Sequence, residues 1–352
     1  MKILNKQIGP KYPTYIIAEL SANHGQDIKQ ALELVDAAAE AKVDAVKLQT
    51  YTPDTITIKS DRPEFIIQAG TVWEGKTLYD LYGEAYTPWE WHPEIMEHAR
   101  KNGLHCFSSP FDFSAVDFLE SLNVGAYKIA SFELVDLPLI EKVAKTGKPL
   151  IMSTGMATVA EISDAVKVAR DAGCEELALL KCTSAYPAEA LDINLRTLPD
   201  IAKRFEVDIG LSDHTLGIEA SIVAVALGAR IVEKHFTLSR NKGGPDSSFS
   251  LEPHEFKELV KAIRFAEQSL GKISYNVSPK EDACRMFRRS LYVVKAIEKG
   301  DVFTSEHVRS IRPANGIAPK YLPRVIGQKA SKSIDANKPL EFSMIDACLD
   351  EG

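Results

Sequence analysis

Two histidines, His214 and His235, stand at matched places in the chain and could do chemistry together. Each closes a short apolar stretch that reads as a buried strand: Asp208-Ile-Gly-Leu-Ser-Asp-His214 and Arg230-Ile-Val-Glu-Lys-His-Phe-Thr237. If these strands are parallel neighbours, both imidazoles emerge on one sheet edge. Two neutral nitrogens there could hold a divalent metal with positions left for water or substrate. A single histidine at a strand end is most simply a hydrogen-bonded residue; two in matched positions favour the metal.

Other strand ends are polar as well. Glu19, Asn23 and His24 follow one apolar run, Lys47 and Gln49 the next, then Ser108 and Ser109, then Lys128, Ser131 and Glu133. Ser153 and Thr154 follow, then Lys181, Thr183, Ser184 and Tyr186, then Ser212 and Asp213 before His214, and Lys234 before His235. A lysine buried in an apolar run needs a partner, because desolvating its charge is costly. Lysines and serines converging on one mouth suggest a phosphate and a carboxylate as those partners. Lys181 and Lys234 are read as pointing outward, between sheet and helices.

The elements that must position these groups alternate along the chain. Strand patterns fall at 15–18, 45–48, 104–107, 126–129, 150–152, 177–180, 208–211 and 230–232. Amphipathic stretches such as 28–41, 114–122 and 159–172 lie between them. Eight βα units in series predict an α/β fold of the (β/α)₈ (TIM) barrel type, with the active site at the C-terminal ends of the strands. A doubly wound open sheet is the alternative, but no G-x-G-x-x-G opens any helix. The 352 residues suffice for such a barrel and a small appended domain. The sequence predicts the barrel over 1–273, a linker over 274–289, polar and proline-interrupted at its start, and a small domain over 290–352. The last part carries an internal echo: Ile297, Gly300, Phe303 and Val308 match Ile334, Asn337, Leu340 and Ile345 in spacing. This predicts a pseudo-symmetric β domain with two similar turns. Within it, a rigid loop, 310–319, presents Arg312.

Net charge is −7 with charges mixed along the chain, so no nucleic-acid footprint appears. The first ten residues lack the apolar core of a secretory signal. The most apolar stretch, 220–229, is too short to span a bilayer. Five scattered cysteines, Cys106, Cys174, Cys182, Cys284 and Cys348, without a C-x-x-C, argue for reduced thiols in the cytoplasm. Cys106 and Cys182 read as small buried strand residues.

Seven stretches together resemble the sialic acid synthase family: Ile17-Ala-Glu-Leu-Ser-Ala-Asn-His24, Val46-Lys-Leu-Gln49, Tyr127-Lys-Ile-Ala-Ser-Phe-Glu133, Met152-Ser-Thr-Gly-Met156, Gly210-Leu-Ser-Asp-His-Thr215, Val232-Glu-Lys-His-Phe-Thr237 and Gly244-Pro-Asp246. The segment with Arg312-Pro-Ala-Asn-Gly316 resembles that family's antifreeze-like (SAF) domain. Thr71-Val-Trp-Glu-Gly-Lys-Thr-Leu-Tyr-Asp-Leu-Tyr82 with Tyr86-Thr-Pro-Trp-Glu-Trp91 is similar to its pseudaminic acid synthase branch. The resemblance implies condensation of phosphoenolpyruvate with the aldehyde of an N-acetylated amino sugar, giving a nine-carbon 2-keto acid and phosphate. It implies Mn²⁺ or Mg²⁺ on His214 and His235, since two protein nitrogens suit an open site better than closed zinc. It assigns Lys47, Ser109, Lys128, Ser131, Ser153 and Ser212 to phosphoenolpyruvate. Glu19 and Glu133, with Gln49 beside them, would orient sugar hydroxyls or move protons, and Tyr186 and Asp246 would contact the sugar. Arg312 would reach the acetamido end from the other subunit of a domain-swapped homodimer.

Ser184 stands where sialic acid synthases carry Asn, which weakens a reading of N-acetylmannosamine as acceptor. Trp73, Trp89 and Trp91, with Tyr79, Tyr82 and Tyr86, crowd into one long loop. Most of these rings should pack a small core of their own, and some should line an apolar sugar pocket. The neighbouring alternatives are an N-acetylneuraminate or legionaminate synthase, or another phosphoenolpyruvate–aldose barrel such as a 3-deoxy-octulosonate phosphate synthase. A non-catalytic glycan-binding or coat protein is the alternative of a different class; intact Glu19, Lys47, Glu133, His214 and His235 speak against it.

Overall fold

Strands of alternating inward and outward side chains close on themselves in a computed structural model that describes residues 1–68 and 73–347. Eight parallel strands form the ring: β1 (Tyr15–Glu19), β2 (Ala45–Thr50), β3 (His105–Pro110), β4 (Tyr127–Ile129), β5 (Leu150–Ser153), β6 (Leu177–Cys182), β7 (Asp208–Asp213) and β8 (Ile231–His235). They pair in chain order, and β8 returns to β1 with His235 opposite Glu19. One helix of the outer layer follows each strand: α1 (Ile28–Glu40), α2 (His92–Lys101), α3 (Phe113–Ser121), α4 (Leu137–Ala144), α5 (Val159–Asp171), α6 (Thr197–Phe205), α7 (Glu219–Ala226) and α8 (Pro253–Leu270). Local sequence starts these helices. Asp27 caps α1 by accepting from the Lys29 N–H at 2.9 Å, and Thr158 with Glu161 forms a capping box on α5. Each such cap contributes about 1 kcal/mol.

The two faces of every strand have different partners, as a period of two requires. Outward residues Ile16, Ala18, Val46, Leu48 and Val232 pack under helices with Leu34, Val35, Leu259 and Ile263. Inward residues Tyr15, Ile17, Ala45, Phe107, Ile151, Ala178, Leu180 and Ile231 fill the lower barrel, where Ile3 and Ile8 of the N-terminal hairpin join them. Two residues further along five of the strands the inward position turns polar. Ile17 gives way to Glu19, Ala45 to Lys47, Phe107 to Ser109, Ile151 to Ser153 and Ile231 to Glu233. An apolar floor and a polar mouth therefore follow from alternation alone.

Compact units run over Met1–Gly271 and from Lys272 onward. The start of the second is not bare linker: Ser278 and Glu281 cap a short helix at Pro279–Ala283. Beyond it β9 (Ser290–Val293) lies between β10 (Val308–Ile311) and β11 (Lys338–Pro339). The sequence echo is real in three dimensions. Ile297 and Ile334 pair as antiparallel partners, each N–H reaching the other's carbonyl at 2.9–3.0 Å. Gly300 and Asn337, matched in the two repeats, both turn with positive φ, a region that Gly and Asn adopt most readily. The matched Phe303, Val308, Leu340 and Ile345 share one core.

Candidate active site

Four charged side chains meet in the upper barrel, all within 5% of full burial. Lys47 is ion-paired with Glu19 and lies 3.6 Å from Glu233, and Lys128 donates to Glu233 at 3.0 Å. Lys47 also donates to Ser109 at 3.3 Å, and Ser212 to Glu233 at 3.4 Å. Gln49 steadies Glu19 with a 3.0 Å bond and reaches Ser21 at the same distance. Burial pushes the Glu19 carboxyl up against the pull of Lys47, whereas Lys128 and Lys47 overcome burial and hold Glu233 low. Burial also lowers the Lys128 ammonium, which Glu233 counters only in part.

Glu233, absent from the sequence-predicted site, links both lysines. The signal was there: in Ile231-Val-Glu-Lys-His235 the period of two puts Glu233 on the side of Ile231 and His235. Lys234 takes the opposite side. It is fully buried behind the strand, ion-paired with Asp213 at 2.9 Å and bonded to the Thr215 carbonyl at 2.7 Å. Asp213 accepts in turn from Ser221 of α7 at 2.6 Å, so this pair fastens sheet to helix. Lys181 also lies outside the ring, half-buried, donating to the Cys182 carbonyl at 2.8 Å. His24 turns away from the mouth, against Thr87 and the edge of Trp91.

His214 and His235 stand side by side, ring centroids 5.4 Å apart. His214 donates its Nδ1–H to the Thr183 carbonyl at 2.9 Å, which leaves Nε2 with its lone pair. His235 Nδ1 is buried with no hydrogen-bond partner, 4.0 Å from the Asp246 carboxylate, and burial keeps the ring neutral. Among the described residues no group of three or more His, Cys, Asp or Glu could hold a metal. The donors present fit an ion held by two imidazoles that takes its other ligands from water and substrate.

Several of the other sequence-predicted residues of the barrel touch one another near this centre. Ser131 and Ser184 share a hydrogen bond of 2.8 Å. Gly155 makes that closeness possible: it turns at φ +46°, and a Cβ there would lie 2.4 Å from Ser131 Cβ. Ser153 is buried with an unpartnered Oγ, as are one oxygen of Glu133 and one of Glu233. Asp246 accepts from Ser21, and Tyr186 lies against His214 with centroids 4.5 Å apart. Cys182, read as simple packing, faces the site with Sγ 3.9 Å from His214 Nδ1. Burial raises its thiol, but the His214 contact outweighs that and brings it to about 7. Arg312 is exposed in the second unit. Among the described residues Cys106, Cys174, Cys182 and Cys284 are free; Thr71, Val72 and Cys348 lie outside them.

Glu133 is a buried carboxyl poised to gain or lose a proton near neutrality. Burial pushes its carboxyl up to about 7, only partly offset by a backbone hydrogen bond and the two lysines. As a base it works ionised, so kcat/KM should rise with pH through about 7 and level off above. Glu133→Gln should lose that limb and about 100-fold or more in kcat. A variant with the parental pH limb would remove Glu133 from the role.

A (β/α)₈ barrel whose mouth gathers buried lysines, serines, carboxylates and paired imidazoles has the groups to bind an anion and to hold or move protons. The NeuB family matches residues 34–275 and the SAF domain residues 288–346. The chain belongs to the NeuB family, and is thereby a phosphoenolpyruvate-dependent condensing enzyme. It is 47% identical to the pseudaminic acid synthase of Helicobacter pylori, covering 96% of this chain and 99% of that one. It is 45% identical to the pseudaminic acid synthase of Campylobacter jejuni, over 94% and 96%. Among solved structures it resembles the N-acetylneuraminic acid synthetase of Leptospira borgpetersenii, with TM-score 0.72 and 32% identity over 80% of this chain and 94% of that one.

Proposed function

We propose that this enzyme is a pseudaminic acid synthase, condensing phosphoenolpyruvate with 2,4-diacetamido-2,4,6-trideoxy-L-altrose to give pseudaminic acid and phosphate. The 47% identity to the Helicobacter pylori enzyme over nearly the whole of both chains carries this reading. C3 of phosphoenolpyruvate bonds to C1 of the open-chain sugar, whose aldehyde oxygen takes a proton. Water adds at C2, and phosphate leaves with its bridging oxygen to give the 2-keto acid.

Lys47 and Lys128 hold the phosphate and carboxylate, exchanging part of their pairing with Glu19 and Glu233 for the substrate. Ser109, Ser131, Ser153 and Ser212 complete that cradle. Glu133 takes a proton from the water that adds at C2. Glu19, steadied by Gln49, orients sugar hydroxyls, and Ser184, Tyr186 and Asp246 face the sugar. A divalent ion, Mn²⁺ or Mg²⁺, held by His214 and His235 would supply Lewis-acid polarisation of the aldehyde. The free thiols support a reducing compartment, and we place the reaction in the cytoplasm. Among the described residues no helix is long and apolar enough to cross a membrane.

The deciding experiment is phosphate release from phosphoenolpyruvate with three acceptors: the altrose-configured sugar above, the legionaminate precursor and N-acetylmannosamine. The altrose sugar should give the highest kcat/KM; a higher value with either of the others overturns the reading.

We further propose a domain-swapped homodimer in which Arg312 of the partner subunit grips an acetamido carbonyl with its planar fork of donors. Arg312→Ala should raise KM for the sugar and lower turnover while sparing phosphoenolpyruvate binding. A chain truncated near residue 280, mixed with full-length His235→Ala, should regain activity that neither has alone. Hybrid dimers that form and stay inactive would contradict the shared site.

A further inference from the structure

One aromatic residue beside the sugar contacts has no part in the mechanism above. Trp73 lies in the insertion between β2 and α2, yet its Nε1–H donates to the Pro245 carbonyl at 2.8 Å, in the loop after β8. Its ring lies 5.6 Å from that of Tyr186. Tyr186 packs 5.3 Å from Phe249, which lies 5.1 Å from His235. Indole, phenol and phenyl thus form one continuous wall beside the paired imidazoles. The other tryptophans of the insertion serve elsewhere. Trp89 stacks on Phe118 at 4.8 Å and donates to the Tyr51 carbonyl at 3.1 Å, while Trp91 meets His24 edge-on.

The chemistry of this wall is restrictive. Indole has a single donor and no acceptor, and here the donor is engaged by Pro245. The rest of the indole is carbon, and so is the ring of Phe249. A hydroxyl pressed against the indole face gives up its water without gaining a bond, whereas a methyl group gains by leaving water. We propose that Trp73 is a specificity-determining residue: beside Tyr186, which the buried Phe249 backs, it receives the C6 methyl of the acceptor and disfavours a C6 hydroxymethyl. This rests on the acceptor being the trideoxy diacetamido sugar proposed above.

The test compares that sugar with its analogue bearing a hydroxyl at C6, in the full-length parent, Trp73→Phe and Trp73→Ala. The parent should favour the methyl sugar by about 100-fold in kcat/KM, the scale an apolar pocket reaches against an added hydroxyl. Trp73→Ala should bring the ratio to within about threefold, chiefly by raising KM for the methyl sugar, with KM for phosphoenolpyruvate unchanged. Trp73→Phe keeps a ring without the Pro245 bond and should retain most of the preference. An unchanged ratio in Trp73→Ala overturns the proposal, as does an equal loss with both sugars, which would mark Trp73 as a brace for the 243–246 loop. A parent that ignores the methyl sugar but turns over N-acetylmannosamine overturns the parent reading along with it. A parent that uses the methyl sugar beside an alanine variant of unchanged preference sinks only the role of Trp73.

Discussion

His214→Ala or His235→Ala is expected to lower kcat by about 1,000-fold or more while the barrel stays folded. The expectation comes from the inequality of the two imidazoles' surroundings. His214 is held through Nδ1 by the Thr183 carbonyl and the Cys182 thiol, and His235 Nδ1 has no protein partner although it is buried. A buried polar atom without a partner costs stability, so its removal should not unfold the protein. Polarising a carbonyl through a bound ion is worth several kcal/mol, and each 1.36 kcal/mol is tenfold in rate, which sets the expected loss. Treatment with a chelator should reproduce the loss in the parent, and Mn²⁺ or Mg²⁺ should restore it there but not in either variant. Activity, bound metal per chain and the thermal melt are the measurements. Full activity in metal-free buffer would end the proposal that these residues hold an ion.

The barrel was legible because its strands are short, apolar and regularly spaced, and because polar residues gather at one end of each. The strand patterns at 45–48 and 150–152 fall within β2 and β5, and the amphipathic stretch at 28–41 becomes α1. What failed to show was which way single polar residues point. In Val232-Glu-Lys-His235 the lysine points outward as the sequence predicts and braces the outer layer through Asp213, but Glu233, which faces the lysines within, carries no mark of its own in the sequence pattern. Only counting alternation from His235 sets it inward. Cys182 was read as packing for the same reason: its inward place is fixed by parity with Leu180, but its neighbour His214 comes from another strand. The aromatic insertion was beyond such counting. Trp73, Trp89 and Trp91 look alike in composition, and they differ only in partners far away in sequence, 172 residues for the Trp73 bond to Pro245. The echo in the second unit could be read because matched residues pair with each other, so spacing alone carries the symmetry.

Lys128→Met should separate two roles that the buried charges combine. Lys128 is the nearer ammonium to Glu233, at 3.0 Å against 3.6 Å for Lys47. Removing it takes one charge from the phosphoenolpyruvate site and leaves a buried carboxylate with its more distant partner. Breaking such a pair from one side costs about 3–5 kcal/mol. The variant should therefore melt lower and bind phosphoenolpyruvate about 10- to 100-fold more weakly, a charged hydrogen bond being worth roughly 1.5–3 kcal/mol. Adding Glu233→Gln removes the stranded carboxylate. The double variant should recover most of the lost stability and none of the lost affinity, because an amide cannot replace the ammonium that faces the phosphate. Lys47→Met should weaken phosphoenolpyruvate binding in the same way, with the stability loss traced to Glu19 as well as Glu233. Calorimetric titration with phosphoenolpyruvate, set beside the melts of the three variants, decides the matter. If affinity returns together with stability in the double variant, Lys128 merely supports the barrel; if it stays lost in a protein that melts like the parent, the ammonium binds the substrate.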